Sequence, residues 1–258
     1  MNNSPIISAI VPCKNHQEWV CLALDSIVNQ KYPRLRIGFV DDGSTDKSWE
    51  CVTSQCKDLK THTLTKTTEP AELLSGSYSG YSILLARFSK SYGPSCARNY
   101  MIKSMLDNTD IFAFLDSDDE YEQGKVEKSV KYFLENPFCG IVYSDYTTEH
   151  VNTGVRERQF KFPYSKKLLL QGECVANMDS LFKADIFRTV GMFDETMLCV
   201  EDLDMYLRAS DDYLLCHIPE NLVKIRVHNK SSTDTYSKEI WEKNYARVFE
   251  KLKNKGNV

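Results

Sequence analysis

The sequence predicts an α/β protein built on a mostly parallel sheet wound with helices. Two observations predict it. Short apolar segments rich in β-branched and aromatic residues alternate with segments whose apolar residues recur at helical spacing. Three of the apolar segments also end in turns dense in polar and acidic residues, and ligands of such sheets sit beyond the carboxyl ends of the strands. With 258 residues, 42% hydrophobic and 26% charged, the chain is long enough for one large α/β domain or two small ones.

The first predicted strand is "ISAIVPC", residues 7–13, which runs into "VPCKN". Asn15 with Glu18 three residues on resembles a capping box, and Val20, Ala23, Leu24, Ile27 and Val28 follow at helical spacing until Gln30 to Pro33 end the helix. "RIGFVDD" is the second strand, and "STDKSWECV" starts a helix after a glycine turn. "TKTTEPAELLSGSYSGYS" reads as a long loop, with Gly, Ser and Pro where turns cost little. "SILLAR" is the third strand, and "GPSCARNYMIKSML" a helix opened by Gly-Pro. "IFAFLDSD" and "GIVYSDY" are the fourth and fifth strands, separated by the helical pattern "QGKVEKSVKYF". Residues 148–187 read as a hairpin-like excursion followed by helices, and "VEDLDMYLRA" as a helix with Leu203, Tyr206 and Leu207 on its apolar face. The C-terminal "SKEIWEKNYARVFEKLKNKGNV" is an amphipathic helix with a frayed basic tail. Trp241, Tyr245, Val248 and Phe249 are expected to pack on the domain or on a partner subunit.

Composition narrows the function. The net charge is −4, and Lys and Arg are scattered without a basic stripe, which argues against general nucleic-acid binding. Nine cysteines, an odd number with no C-x-x-C pair, predict reduced thiols and a cytoplasmic compartment. No uncharged run approaches the roughly 18 apolar residues that span a bilayer, and the N-terminus lacks a signal peptide's basic flank and apolar core. Membrane contact is therefore expected to be peripheral at most, at the inner face of a membrane.

"FAFLDSDDEYE", residues 112–122, crowds carboxylates into the turn after a buried strand. Close carboxylates raise one another's pKa values, and a cation would remove that cost. Asp116 and Asp118 lie two apart, able to converge on one hard cation with oxygen ligands; the alternative is a solvated acidic turn that caps the next helix. Asp41 and Asp42, followed by Gly43, Ser44 and Thr45, also fit a plain tight turn with a helix cap. Phe160, Phe162 and Tyr164 suit either strand core or stacking on a sugar ring, and "RERQFKF" with "YSKK" forms a mild basic patch. That patch suits a phosphate-bearing lipid or an anionic membrane surface.

Taken in order, "VPCKN", "VDDGSTDKS", "GPSCARN", "FLDSDD", "GMFDETMLCVEDLDMYLRA" and "IRVHNKSST" resemble a family 2 glycosyltransferase of the GT-A fold, from about residue 7 to 232. The resemblance implies a Rossmann-like central sheet flanked by helices, with a smaller acceptor-side β/α portion. It implies one domain over 1–232, with a nucleotide-sugar half at 1–119 and an acceptor-side half at 120–232, followed by a C-terminal helix and tail at 233–258. The implied activity is transfer of a sugar from a nucleotide-sugar donor, here a UDP-sugar, to a hydroxyl of a glycan or lipid-linked acceptor. Inversion at the anomeric carbon and help from Mn²⁺ or Mg²⁺ belong to the same implication.

Carried over by position, the resemblance puts Pro12 beside the nucleoside and either Asp41 or Asp42 on the base ring's NH. Arg98, Asn99, Asp116 and Ser117 fall near the nucleotide, with Asp116 at the ribose; for Arg98 a surface ion pair is the alternative. Asp118 becomes the metal ligand, His228 a second metal or diphosphate ligand, and Asp119 a residue that orients its neighbours. Arg226 and Lys230 become phosphate partners, with Ser231 and Ser232 as loop donors. His16, His62, His150 and His217 carry only the default expectation of packed or surface residues. Asp202 is the expected catalytic base, with Glu201 the alternative, and the start of its helix favours the ionised carboxylate. Asp194 and Glu195 are expected to shape the acceptor pocket or the turn. Two other readings compete: a non-catalytic nucleotide-sugar or glycan binding protein, which needs no base, and a sugar-phosphate nucleotidyltransferase. The latter lacks support, since no Gly-rich signature loop with a following Arg and Lys lies near the N-terminus.

Overall fold

The computed structural model describes residues 4–63, 71–171, 177–229 and 236–254. In chain order it contains β1 (Ile7–Cys13), α1 (Val20–Val28), β2 (Leu35–Asp41), α2 (Ser48–Thr53), β3 (Cys56–Thr61), β4 (Glu72–Tyr78), β5 (Tyr81–Arg87) and α3 (Pro94–Met105). There follow β6 (Ile111–Phe114), β7 (Glu120–Tyr121), α4 (Lys125–Glu135), β8 (Cys139–His150), β9 (Arg156–Gln159), α5 (Lys166–Leu170), β10 (Leu181–Lys183) and α6 (Ala184–Thr189). The last elements are α7 (Glu201–Ala209), β11 (Leu214–Val227) and α8 (Lys238–Asn254).

One sheet runs through the molecule in the order β3-β4-β5-β2-β1-β6-β10-β8-β11-β7, with β9 paired to β8. β5, β2, β1 and β6 are parallel neighbours, and β8 and β11 run parallel to each other. β10 sits antiparallel between β6 and β8, so those two strands point the same way. Alternation of side chains along the strands separates two cores. Ala9, Val11, Ile37, Phe39 and Ala113 face a layer that includes Val20, Leu24 and Ile27 of α1 and Val126 and Phe133 of α4. Ile10, Val40, Phe112 and Phe114 face Met101 of α3, Phe187 of α6, Tyr206 of α7 and Val248 of α8. The result is helices on both faces of the sheet, with α3 seated on Gly38: a Cβ there would lie 2.3 Å from Met101 Cγ.

Three features depart from the sequence reading. The predicted long loop contains β4, which forms a hairpin with β5 through Ser79 and Gly80; residues 64–70 of that stretch lie outside the described residues. Strand pairing overrides the weak propensity of "ELLSGSY". Asn15 does not cap α1, because its backbone is in the left-handed region at φ 59° and the residue before the helix is Trp19. Its Oδ1 instead accepts from the Thr45 N–H at 2.8 Å, tying the first loop to the second. Cys139 and Cys216 are disulfide-paired across β8 and β11, whereas all thiols were expected to be reduced. A pairing 77 residues apart in sequence has no local spacing signal. No helix among the described residues is long and apolar enough to cross a membrane.

Candidate active site

Because β1, β2 and β6 are parallel, the loops that follow them open on one edge of the sheet. A cavity of about 790 Å³ lies there, of the size that small-molecule sites occupy. Pro12 from the end of β1, His16 from the loop after it, Asp42 from the loop after β2, Asp116 to Asp119 from the turn after β6, and Glu201 and Asp202 from α7 all border it.

The two aspartates after β2 part company, since successive side chains of a strand face opposite ways. Asp41 is fully buried, accepts from the Ser44 N–H at 2.8 Å and lies 3.4 Å from Arg87. Burial raises its pKa despite those partners. It does not border the cavity; Asp42 does. Asp42 Oδ1 accepts from the Tyr92 N–H at 2.7 Å, and Oδ2 from the Ser91 hydroxyl at 2.7 Å and the Gly93 N–H at 2.9 Å. Gly43 lets this loop come so close: φ is 66°, and a Cβ would meet the Lys90 carbonyl carbon at 2.5 Å. Asp42 thereby fixes the segment that leads into α3.

Arg98 of α3 is 2% exposed and grips two carboxylates, Asp116 at 2.7 Å and Glu201 at 2.8 Å. Burial alone would lower its pKa, but the two carboxylates more than offset that and keep it charged. The surface ion pair that the sequence also allowed is excluded by this burial. In the acidic turn, Asp118 Oδ2 lies 3.0 Å from His228 Nε2, and Oδ1 lies 3.7 Å from His16 Nδ1. Burial opposes ionisation of Asp118, but the hydrogen bond with His228 and the two imidazoles hold it below the ordinary carboxylate range. Asp119 points away from them, accepting from the Arg226 N–H at 2.8 Å, while the Arg226 guanidinium donates to the Asp118 carbonyl at 2.7 Å and pairs with Glu120. Burial and the nearby Asp179 push the Asp119 carboxyl well above its ordinary range. Asp179 is pushed up to about 7 by burial and by Asp116, and its Oδ1 accepts from the Asp116 N–H at 3.1 Å.

The α7 helix begins at a strained residue. Val200 has φ 55°, a region that β-branched side chains avoid, and such conformations persist where the surroundings over-determine them. The turn delivers Glu201 and Asp202 to the cavity in succession. Glu201 is raised by burial despite Arg98, and Asp202 Oδ1 accepts from the Leu203 N–H at 2.7 Å.

The family model described as Glycosyl transferase family 2 matches residues 8–191, which include the acidic turn and both strand-end loops before it. The chain belongs to glycosyltransferase family 2. A relative from Rickettsia typhi, described as an uncharacterized glycosyltransferase, is 28% identical over 253 residues, covering 93% of this chain and 69% of its own. The fold is of the GT-A kind. TarS 1–349 of S. aureus, solved in complex with UDP-GlcNAc, superimposes with a TM-score of 0.68 at 15% identity over 92% of this chain and 64% of that one. The mannosyltransferase PcManGT of Pyrobaculum calidifontis, solved with GDP-Man and Mn²⁺, gives 0.66 at 17% identity over 98% of this chain and 65% of that one. This chain thus spans under two thirds of either solved chain.

Within the glycosyltransferase, Pro12, Asp42, Arg98, Asp116, Ser117, Asp118, Glu201, Asp202 and Arg226 share the cavity, and His228 reaches it through Asp118. Asn99 does not border it: its side-chain amide bonds the backbone C=O and N–H of Phe193 and donates to the Glu195 carboxylate, at 2.8–3.0 Å. Asp194 and Glu195 likewise serve the turn. Asp194 accepts from Lys251 of α8 at 2.6 Å, and this partner and Thr196 hold its carboxyl well below the usual range even though burial opposes it. Lys230, Ser231 and Ser232 lie outside the described residues. Three further residues matter that the sequence reading left aside. Trp19 stacks on the His228 ring at 4.2 Å between centroids, Asp179 lies under the acidic turn, and His16 faces Asp118. Only His16 carried a signal, its place directly after "VPCKN". Asp118 and His228 fit the divalent cation that the fold implies, since an oxygen and an imidazole nitrogen 3.0 Å apart can share one ion at the cavity wall.

Proposed function

We propose that this glycosyltransferase transfers a sugar from a UDP-sugar to a hydroxyl of a glycan or lipid-linked acceptor, with inversion at the anomeric carbon. The observation that carries the reading is the convergence of Asp42, Asp116, Asp118 and Asp202 on one cavity. TarS binding UDP-GlcNAc and PcManGT binding GDP-Man on the same fold support a nucleotide-sugar donor.

In this reading Pro12 flanks the nucleoside, and Asp42 accepts the base N–H through the acceptor capacity that Oδ1 keeps beyond Tyr92. Asp116, held by Arg98, takes the ribose hydroxyls. Asp118 and His228 would hold a divalent cation, which when bound would supply positive charge toward the diphosphate. Arg226 braces the acidic turn through the Asp118 carbonyl rather than reaching phosphate itself. Asp202 accepts the proton of the acceptor hydroxyl as that oxygen bonds to the anomeric carbon from the face opposite the diphosphate. The hydroxyl becomes acidic late in the step, so position and an ionised carboxylate suffice. Glu201, spent on Arg98, positions rather than reacts.

The test is a screen of nucleotide sugars for donor hydrolysis and transfer with Mn²⁺, run beside Asp202→Asn. The expected result is turnover of one UDP-sugar, at least about a hundredfold slower transfer in the variant, and UDP binding within about threefold of wild type. Transfer at the wild-type rate by Asp202→Asn removes the base. UDP-sugar binding without turnover in the wild type would leave a binding protein.

A further inference from the structure

Two imidazoles approach one carboxylate at the cavity wall. His16 arrives from the loop after β1, Asp118 from the turn after β6, and His228 from the end of β11. One ligating atom from each lies within 4.8 Å of the others. We infer that His16 is a third protein ligand of the cation assigned above to Asp118 and His228, and that this two-imidazole, one-carboxylate set selects a borderline transition ion over Mg²⁺. The inference rests on the proposed role of Asp118 and His228 and extends it.

Geometry and chemistry agree. Ligand atoms about 2.1 Å from an ion, at angles between octahedral and tetrahedral, stand about 3.0–3.4 Å apart. His228 Nε2 stands 3.0 Å from Asp118 Oδ2 and His16 Nδ1 stands 3.7 Å from Oδ1, so the two imidazoles flank the carboxylate, one at each oxygen, and small side-chain rotations bring all three onto one ion. His16 Nδ1 is 2.7 Å from the Ser117 hydroxyl, a group that rotates freely about one bond. Both rings are held before any ion arrives. Trp19 stacks on His228 and meets His16 edge-on at 5.6 Å, and the His16 backbone N–H, donating to Ser48 Oγ at 3.0 Å, fixes the loop that carries the second ring. Mg²⁺ seeks oxygen ligands in strict octahedral order, whereas imidazole suits the later first-row ions. With one carboxylate and two neutral donors, the bound ion keeps net positive charge toward a diphosphate.

The test uses the full chain with metal alone and with UDP. Pulsed EPR of the Mn²⁺ form is expected to show nitrogen couplings from two imidazoles in the wild type and one in His16→Ala. By competition calorimetry, Co²⁺ affinity is expected to fall about tenfold or more in His16→Ala and in His16→Gln, with the Co²⁺-over-Mg²⁺ preference narrowing alongside. The glutamine variant keeps a hydrogen-bonding partner for Ser117 and guards against a folding artefact. A single nitrogen coupling in the wild type, or unchanged Co²⁺ affinity in both variants, overturns the inference. Asp118→Ala separates the two layers: if it loses Co²⁺ while the His16 variants do not, only His16 is wrong. If Asp118→Ala also binds normally, the metal reading above fails instead.

Discussion

Removing the positive charge of Arg98 tests how the site holds its carboxylates. In Arg98→Met the apolar stem is kept and the guanidinium is lost. Glu201, with a side chain 13% exposed, loses a charged hydrogen bond of 2.8 Å and is left as a buried carboxylate without its cation. Breaking such a pair from one side costs about 3–5 kcal/mol. Asp116 is 38% exposed, so its 2.7 Å link is screened and adds about 1 kcal/mol or less. Against this, Arg98 Nε is buried with no acceptor among the described residues, and removing it returns about 1 kcal/mol. The net expectation is a loss of about 3–4 kcal/mol, or about 10 °C in Tm for a chain of this length.

The deficit should depend on pH, and its sign follows from Glu201. Its carboxyl already sits above the ordinary range because burial outweighs Arg98, and without Arg98 it rises further. A carboxyl raised in the folded state costs nothing where both states are protonated, and stability falls as pH climbs through the folded pKa. Urea unfolding of wild type and variant at pH 5 to 8 should therefore show the gap smallest near pH 5 and widest near pH 8. A gap below about 1 kcal/mol that is flat across this range would refute the role of Arg98 as the counter-charge.

Asp42→Ala should release the Ser91–Gly93 segment and remove the proposed base contact, weakening UDP binding about tenfold or more by calorimetry and lowering stability by about 1–3 kcal/mol; unchanged binding would move the nucleoside elsewhere. Lys125, fully buried beside Ser144 Oγ at 2.9 Å, is pushed down from 10.5 to about 7 by burial. Between those values the unfolded chain binds a proton that the folded chain lacks, so this residue makes stability rise with pH; Lys125→Met should stabilise the protein by up to about 5 kcal/mol at and below neutral pH, with the gap narrowing toward pH 9. Urea unfolding that finds the variant less stable at pH 7 would contradict this.

The parts of the fold that were legible in the sequence are those with a local period. β1, β2, β5, β6 and α1, α3, α4 and α7 carry their apolar pattern within one element, and the chain reads correctly there. β4 and the Cys139–Cys216 pair were not legible, because each is decided by a partner: β4 by β5, and Cys139 by a cysteine on β11. The candidate site divides the same way. Asp116 and Asp118 sit in a recognisable turn and Asp202 at a recognisable helix start, whereas the choice between Asp41 and Asp42 depends on which face of β2 meets the cavity. Asn99 illustrates the opposite failure. It lies beside Arg98 in sequence, yet successive helical residues point about 100° apart, and its amide serves the Phe193 turn instead.

The same angular step gives the Glu201–Asp202 pair a division of labour. Neighbours on a helix point about 100° apart, so Glu201 meets Arg98 while Asp202 borders the cavity from another direction. Arg98 is bonded at once to Asp116, on the donor-side turn, and to Glu201, on the helix that carries Asp202. The distance between the proposed ribose contact and the proposed base is therefore set by one buried guanidinium with two short hydrogen bonds, not by loops packed independently. A planar fork with fixed donors suits that task and a lysine ammonium does not, since a single point charge lacks the two diverging N–H edges that reach both carboxylates. Strain at Val200 belongs to the same arrangement: the left-handed turn brings Glu201 within reach of Arg98, and the ion pair helps hold the valine where its own preference would not put it.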